Sequence, residues 1–108
     1  MPTELPIACS LSRAELPARL AQIAALGRDA LVDAQLGGTR ATLRFAAGTG
    51  VRERVASVVA AEATCCAFLT MRVSDEPGAV VLDIAAPEDA EMVLREFVDA
   101  FRGEPRTA

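Results

Sequence analysis

Val51-Arg52-Glu53-Arg54-Val55-Ala56-Ser57-Val58-Val59-Ala60-Ala61-Glu62-Ala63-Thr64-Cys65-Cys66-Ala67-Phe68-Leu69 is the stretch from which the rest of the chain can be read. Val51, Val55, Val58/Val59, Cys65/Cys66 and Leu69 recur at helical spacing, which predicts an amphipathic helix over 51–68. Glu62 stands in the middle of that stripe, where Val or Leu would be expected. At about 100° per residue it lies within roughly 40° of Val55, Cys66 and Leu69 around the helix. It is three residues before Cys65 and four before Cys66, the spacings at which helical side chains meet. An acid buried among apolar groups is costly unless it is paired, bound to a cation or protonated. Two neighbouring thiols give a reason to keep it there. The structural alternative is an ion pair with Arg13 or Arg19.

Working outward, Leu69 to Val73 alternates as a strand, and Asp75-Glu76-Pro77-Gly78 reads as a turn. Ala79 to Ala85 follows as another strand. Pro87, with Glu88 and Asp89 in the first turn, opens a last helix. Its stripe is Ala90, Val93/Leu94, Phe97 and Phe101, and Gly103 ends it. On the other side, Gly48-Thr49-Gly50 is a turn in which Thr49 can cap the 51–68 helix. Thr39 to Phe45 alternates, with Ala41, Leu43 and Phe45 inward and Arg40, Thr42 and Arg44 outward. Gly37-Gly38 signals a hairpin to a strand over 30–36. Ser12-Arg13-Ala14-Glu15 matches a capping box, and Leu16, Leu20, Ile23 and Leu26/Gly27 give a helical stripe with Gly27 as its C-cap. Residues 6–11 read as a first short strand, with Ile7, Cys9 and Leu11 on one face.

The predicted order is β-α-β-β-α-β-β-α, in a single domain over 1–108 whose ends, 1–5 and 104–108, read as frayed. That is an α+β chain. Its first six elements match a ferredoxin-like split βαβ sandwich, β-α-β-β-α-β, with an added C-terminal strand and helix. In such a sandwich the first strand and the second helix end at the same edge of the sheet. Cys9 would then meet Cys65 and Cys66, with Glu62 one turn further in.

Composition removes many chemistries. The chain has 108 residues, 52% of them hydrophobic, a net charge of −4, three Cys and no His, Trp or Tyr. It also has no Lys, so every basic side chain is Arg. Without His there is no imidazole base and no nitrogen-ligated zinc site, and without Lys no Schiff base or Walker A lysine. The Arg residues are scattered, which argues against nucleic acid as a partner. No apolar run approaches the roughly 18 residues of a membrane span, and no signal peptide is visible, so a cytoplasmic protein is expected. An odd cysteine count in that setting argues against a disulfide framework and for reduced thiols or a ligand site.

Three thiolates suit a soft cation: Hg(II), As(III), Cu(I), Cd(II) or Zn(II) rather than Mg(II) or Ca(II). Cys9, Cys65 and Cys66 are the candidate metal ligands. Glu62 is a fourth ligand or the proton acceptor for the thiols. Adjacent cysteines point about 100° apart on a helix and fit a rigid zinc tetrahedron poorly, so a soft or adaptable ion is favoured. The structural alternative is three cysteines packed as small hydrophobes. No nucleotide or flavin cofactor is expected.

Cys9-Ser10-Leu11, Arg19, Glu62-x-x-Cys65-Cys66-x-Phe68-Leu69 and Ala86-Pro87-Glu88 together resemble a group of small, largely uncharacterised bacterial proteins. Those carry C-[ST]-L…R near the start and E-x-x-C-C-x-F-L near the middle, and some are linked with mercury or arsenic handling. The resemblance spans roughly residues 6–101. It implies that Cys9, Cys65, Cys66 and Glu62 form one set, with Arg19 beside Glu62.

Three functions follow as expectations. The first is binding of a thiophilic metal or metalloid ion. The second is an enzyme with Glu62 as catalytic acid or base: a carbon–metal bond lyase, similar to organomercurial lyases in its inventory of two cysteines and a carboxylate, or a thiol redox catalyst. The third is a homodimer that pairs two sheets into a barrel with a small-ligand pocket.

Overall fold

The computed structural model describes residues 16–103. Within them the chain is α+β, with a four-stranded antiparallel sheet and three helices. The strands are β1 (Leu31–Gly37), β2 (Arg40–Ala46), β3 (Thr70–Glu76) and β4 (Ala79–Ala85), in the order β1-β2-β4-β3. The helices are α1 (Leu16–Ala30), α2 (Val51–Cys65) and α3 (Glu91–Arg102), the last preceded by a 3-10 turn over Glu88–Ala90.

Strand alternation sets the two faces. Ala41, Leu43 and Phe45 of β2 and Val80, Leu82 and Ile84 of β4 are buried together with residues of all three helices. Leu82 sits opposite both Leu43 and Val73, at the centre of the sheet. Ile23 and Leu26 of α1, Val51, Val55 and Val58 of α2, and Leu94, Phe97, Val98 and Phe101 of α3 close this core. The other face of the sheet is polar. There Arg44 bridges Asp33 at 3.5 Å and Glu76 at 3.3 Å, and Thr42 Oγ1 donates to Asp83 Oδ1 at 2.9 Å. Arg40 and Arg44 are thus on the solvated strand face that the alternation predicted, and Arg72 of β3 is exposed.

β2 and β3 are joined by α2 and separated in the sheet by β4, which is hydrogen-bonded on both edges. β4 therefore fills the interior place that a ferredoxin-like order gives to the first strand. The strand expected over 6–11, the capping box at 12–15 and both expected frayed ends lie outside the described residues.

Several boundaries differ from expectation. Gly27 does not cap α1, which runs on to Ala30. A Cβ at Gly27 would land on the Phe101 carbonyl, so this glycine lets α1 and α3 approach closely. Thr49 does not cap α2. Gly50 holds that place in the left-handed region, with φ 78° and no side-chain cap bond. β3 runs on through Asp75 and Glu76, so the turn tightens to Pro77-Gly78, with Gly78 at φ 76°. α2 ends at Cys65 rather than at 68, for a reason that lies in the site itself. Among the described residues no helix is long and apolar enough to cross a membrane.

Candidate functional site

The buried face of α2 is the stripe read from the sequence. Val55, Val58, Glu62 and Cys66 are 0%, 1%, 7% and 1% exposed. Val51 and Leu69 complete it at its two ends, and Phe68 is half-buried against it. Glu62 is the one charged side chain that is buried among the described residues.

The helix stops where the cysteines begin. Cys65 is its last residue, and Cys66 has φ −122° and ψ 68°, outside the helical region. The Cys66 N–H still donates to the Glu62 carbonyl at 2.6 Å, and the Cys66 carbonyl accepts from Leu69 N–H at 3.0 Å. These two bonds tie off the helix end. The change of direction seats Cys66 in the core, in the cluster that also holds Leu69.

Cys66 is held in a disulfide. This corrects the expectation drawn from the odd cysteine count. The sequence has two other cysteines, Cys9 and Cys65. Cys9 and the side chain of Cys65 lie outside what the structure describes.

Arg19, on α1, is the neighbour of Glu62 that the sequence singled out; Arg13 lies outside the described residues. Burial pushes the Glu62 carboxyl above the usual carboxylate range, and the positive charge of Arg19 pulls the other way. Burial is the larger influence, so the proton is held more tightly than on an exposed Glu. Arg19 itself is anchored at one end, where Nη1 donates to Gln22 Oε1 at 2.8 Å. Its Nε and Nη2 are buried and have no hydrogen-bond partner. Sequence reasoning missed this open edge and the Gln22 anchor. The three-residue step from Arg19 to Gln22 was the available signal.

Chemically, a disulfide means that two cysteine sulfurs meet, and Cys66, which supplies one of them, is one helical turn from the buried Glu62. As a disulfide the pair carries no thiolate charge and cannot hold a cation. Two-electron reduction would release two thiols at the same place. Among the described residues no three His, Cys, Asp or Glu side chains group closely enough to hold a metal ion.

A concavity lies on the open face of the sheet. It has a volume of about 480 Å³ and is lined by Arg40, Thr42, Thr70, Arg72 and Asp83, among others. It shares no residue with the site at Glu62.

No family model, no curated protein and no solved structure matches this chain.

Proposed function

We propose that the protein binds one soft, thiophilic metal or metalloid ion when its disulfide is reduced. Hg(II), As(III), Cu(I), Cd(II) and Zn(II) form the candidate class. Cys66 and a second cysteine are the primary ligands, and the third cysteine completes a trigonal sulfur set. Glu62 takes up a proton as thiols become thiolates, or ligates directly, and Arg19 balances its charge. The observation that supports this is the disulfide at Cys66, because it brings two sulfurs together at a residue one helical turn from Glu62, the buried acid among the described residues. Two cysteines close enough to share a disulfide are, once reduced, close enough to share one ion. The scaffold, on this proposal, is a ferredoxin-like sheet whose interior strand comes from the end of the chain instead of the beginning.

The test is a Cd(II) titration of the reduced protein, followed by the ultraviolet thiolate-to-cadmium charge-transfer band. Cys66→Ser should lose most of the band and bind far more weakly. A variant that binds as tightly as the parent would sink the proposal.

The same disulfide favours a second reading, thiol redox catalysis with Glu62 as proton acceptor. The two part on Glu62→Gln. A catalyst would lose turnover of a disulfide substrate, whereas a binding protein would keep its ion.

A further inference from the structure

The groove on the open face of the sheet has a plan set by strand register. On one rung Arg40 and Thr70 stand on either side of Ala85. On the next, Thr42 and Arg72 stand on either side of Asp83. These positions alternate along their strands with core residues such as Leu43 and Ile84, so they share the face away from the helices. The short side chain of Ala85 leaves a low floor between longer neighbours. The resulting concavity, about 480 Å³, is within the size range of small-molecule sites.

One rung further along, Arg44 is held between Asp33 and Glu76. The arginines of the groove are not held in that way. Arg40 and Arg72 are exposed, and among the described residues neither takes part in an ion pair. Asp83 stands opposite Arg72 in the register, yet its Oδ1 accepts from Thr42 Oγ1. Two guanidinium groups and one carboxylate give the groove a local charge of +1, in a chain whose net charge is −4. The guanidinium groups only donate hydrogen bonds, while Asp83 and the lone pairs on the Thr42 oxygen accept them.

We propose that this groove binds a small hydroxylated carboxylate, with its anionic group on Arg40 and Arg72 and a hydroxyl donating to Asp83. Charge complementarity selects that occupant. A guanidinium grips carboxylate oxygens side by side, and one carboxylate cancels the charge of the groove. A phosphate dianion would leave surplus negative charge beside Asp83. A second copy of the sheet face would bury the arginines and Asp83 together. The inference goes beyond ion binding and does not rest on it, because neither Glu62 nor any cysteine lines the groove.

The experiment is an amide NMR titration of the whole chain at constant ionic strength. The probes are D-gluconate, hexanoate, which has the charge without the hydroxyls, and D-glucitol, which has the hydroxyls without the charge. Gluconate should shift the amides of 40–42, 70–72 and 83–85 saturably, and bind roughly fivefold more tightly than either other probe. Arg40→Gln and Arg72→Gln should each weaken gluconate roughly fivefold. Both side chains are exposed, and the spectrum of each variant reports its own folding. Asp83→Ala separates a site that reads hydroxyls from a plain positive patch. The preference for gluconate over hexanoate should collapse in that variant. Both anions binding more tightly there with the preference kept would overturn the proposal. So would equal affinity for gluconate and hexanoate in the parent, unchanged gluconate binding in Arg72→Gln, or no saturable shift at the groove.

Discussion

At the scale of single residues, Glu62 is where sequence and structure agree most closely. Its position on an apolar stripe marked it, and it is buried with the stripe around it. The positive charge that acts on it comes from Arg19, one of the two arginines, with Arg13, that the residue types offered as a neighbour. The open edge of Arg19 was not legible, because a side chain's unused donors depend on packing between α1 and α2. The raised affinity of Glu62 for its proton makes a pH prediction with a definite sign. The folded state binds that proton more tightly than the unfolded chain does. Stability from this group is complete below the unfolded value of about 4.3 and is lost as pH rises through the raised folded value. Urea unfolding across that range should show the parent weakening towards neutral pH. Glu62→Gln should flatten the slope and gain about 1 kcal/mol at pH 7, roughly 4–8 °C in Tm. A steeper slope, or lower stability in Glu62→Gln at pH 7, would mean that the ionised carboxylate is the stabilising form.

At the scale of elements, periodicity located every helix and strand among the described residues and erred at their ends. The errors have physical causes. Gly27 has the residue type of a cap, but α1 continues because α3 crosses it there, and sequence spacing carries no information about a crossing. α2 stops at Cys65 because Cys66 leaves the helical region, and no capping residue announces that. The crossing at Gly27 is testable. In an exposed helix Gly→Ala would gain about 1 kcal/mol of helix propensity. Here the new methyl meets the Phe101 carbonyl, a backbone atom that cannot rotate away. Gly27→Ala should therefore cost about 2 kcal/mol or more, seen as a lower urea midpoint. A raised midpoint would show that α1 and α3 pack more loosely than the structure indicates.

At the scale of the whole molecule, the number and type of elements among the described residues were legible, but the order of their strands in the sheet was not. Both stretches, 6–11 and 79–85, have the apolar pattern of an interior strand, and 6–11 lies outside the described residues. β4 takes the interior place because its hairpin with β3 is a short, local connection. The two faces of the sheet then divide the work. One builds the core that seats Glu62 and Cys66. The other is a charged surface, and a barrel made by pairing two such faces would bury Arg40, Arg72 and Asp83. The concavity on that face is lined by neither Glu62 nor Cys66. Native mass spectrometry of one preparation, in its disulfide and its reduced forms, each with one equivalent of Cd(II), tests the thiol site without any mutation. One retained ion per reduced chain and none per oxidised chain is the expected result. Equal retention in both forms, or none in either, would show that the sulfur of Cys66 serves packing and not an ion.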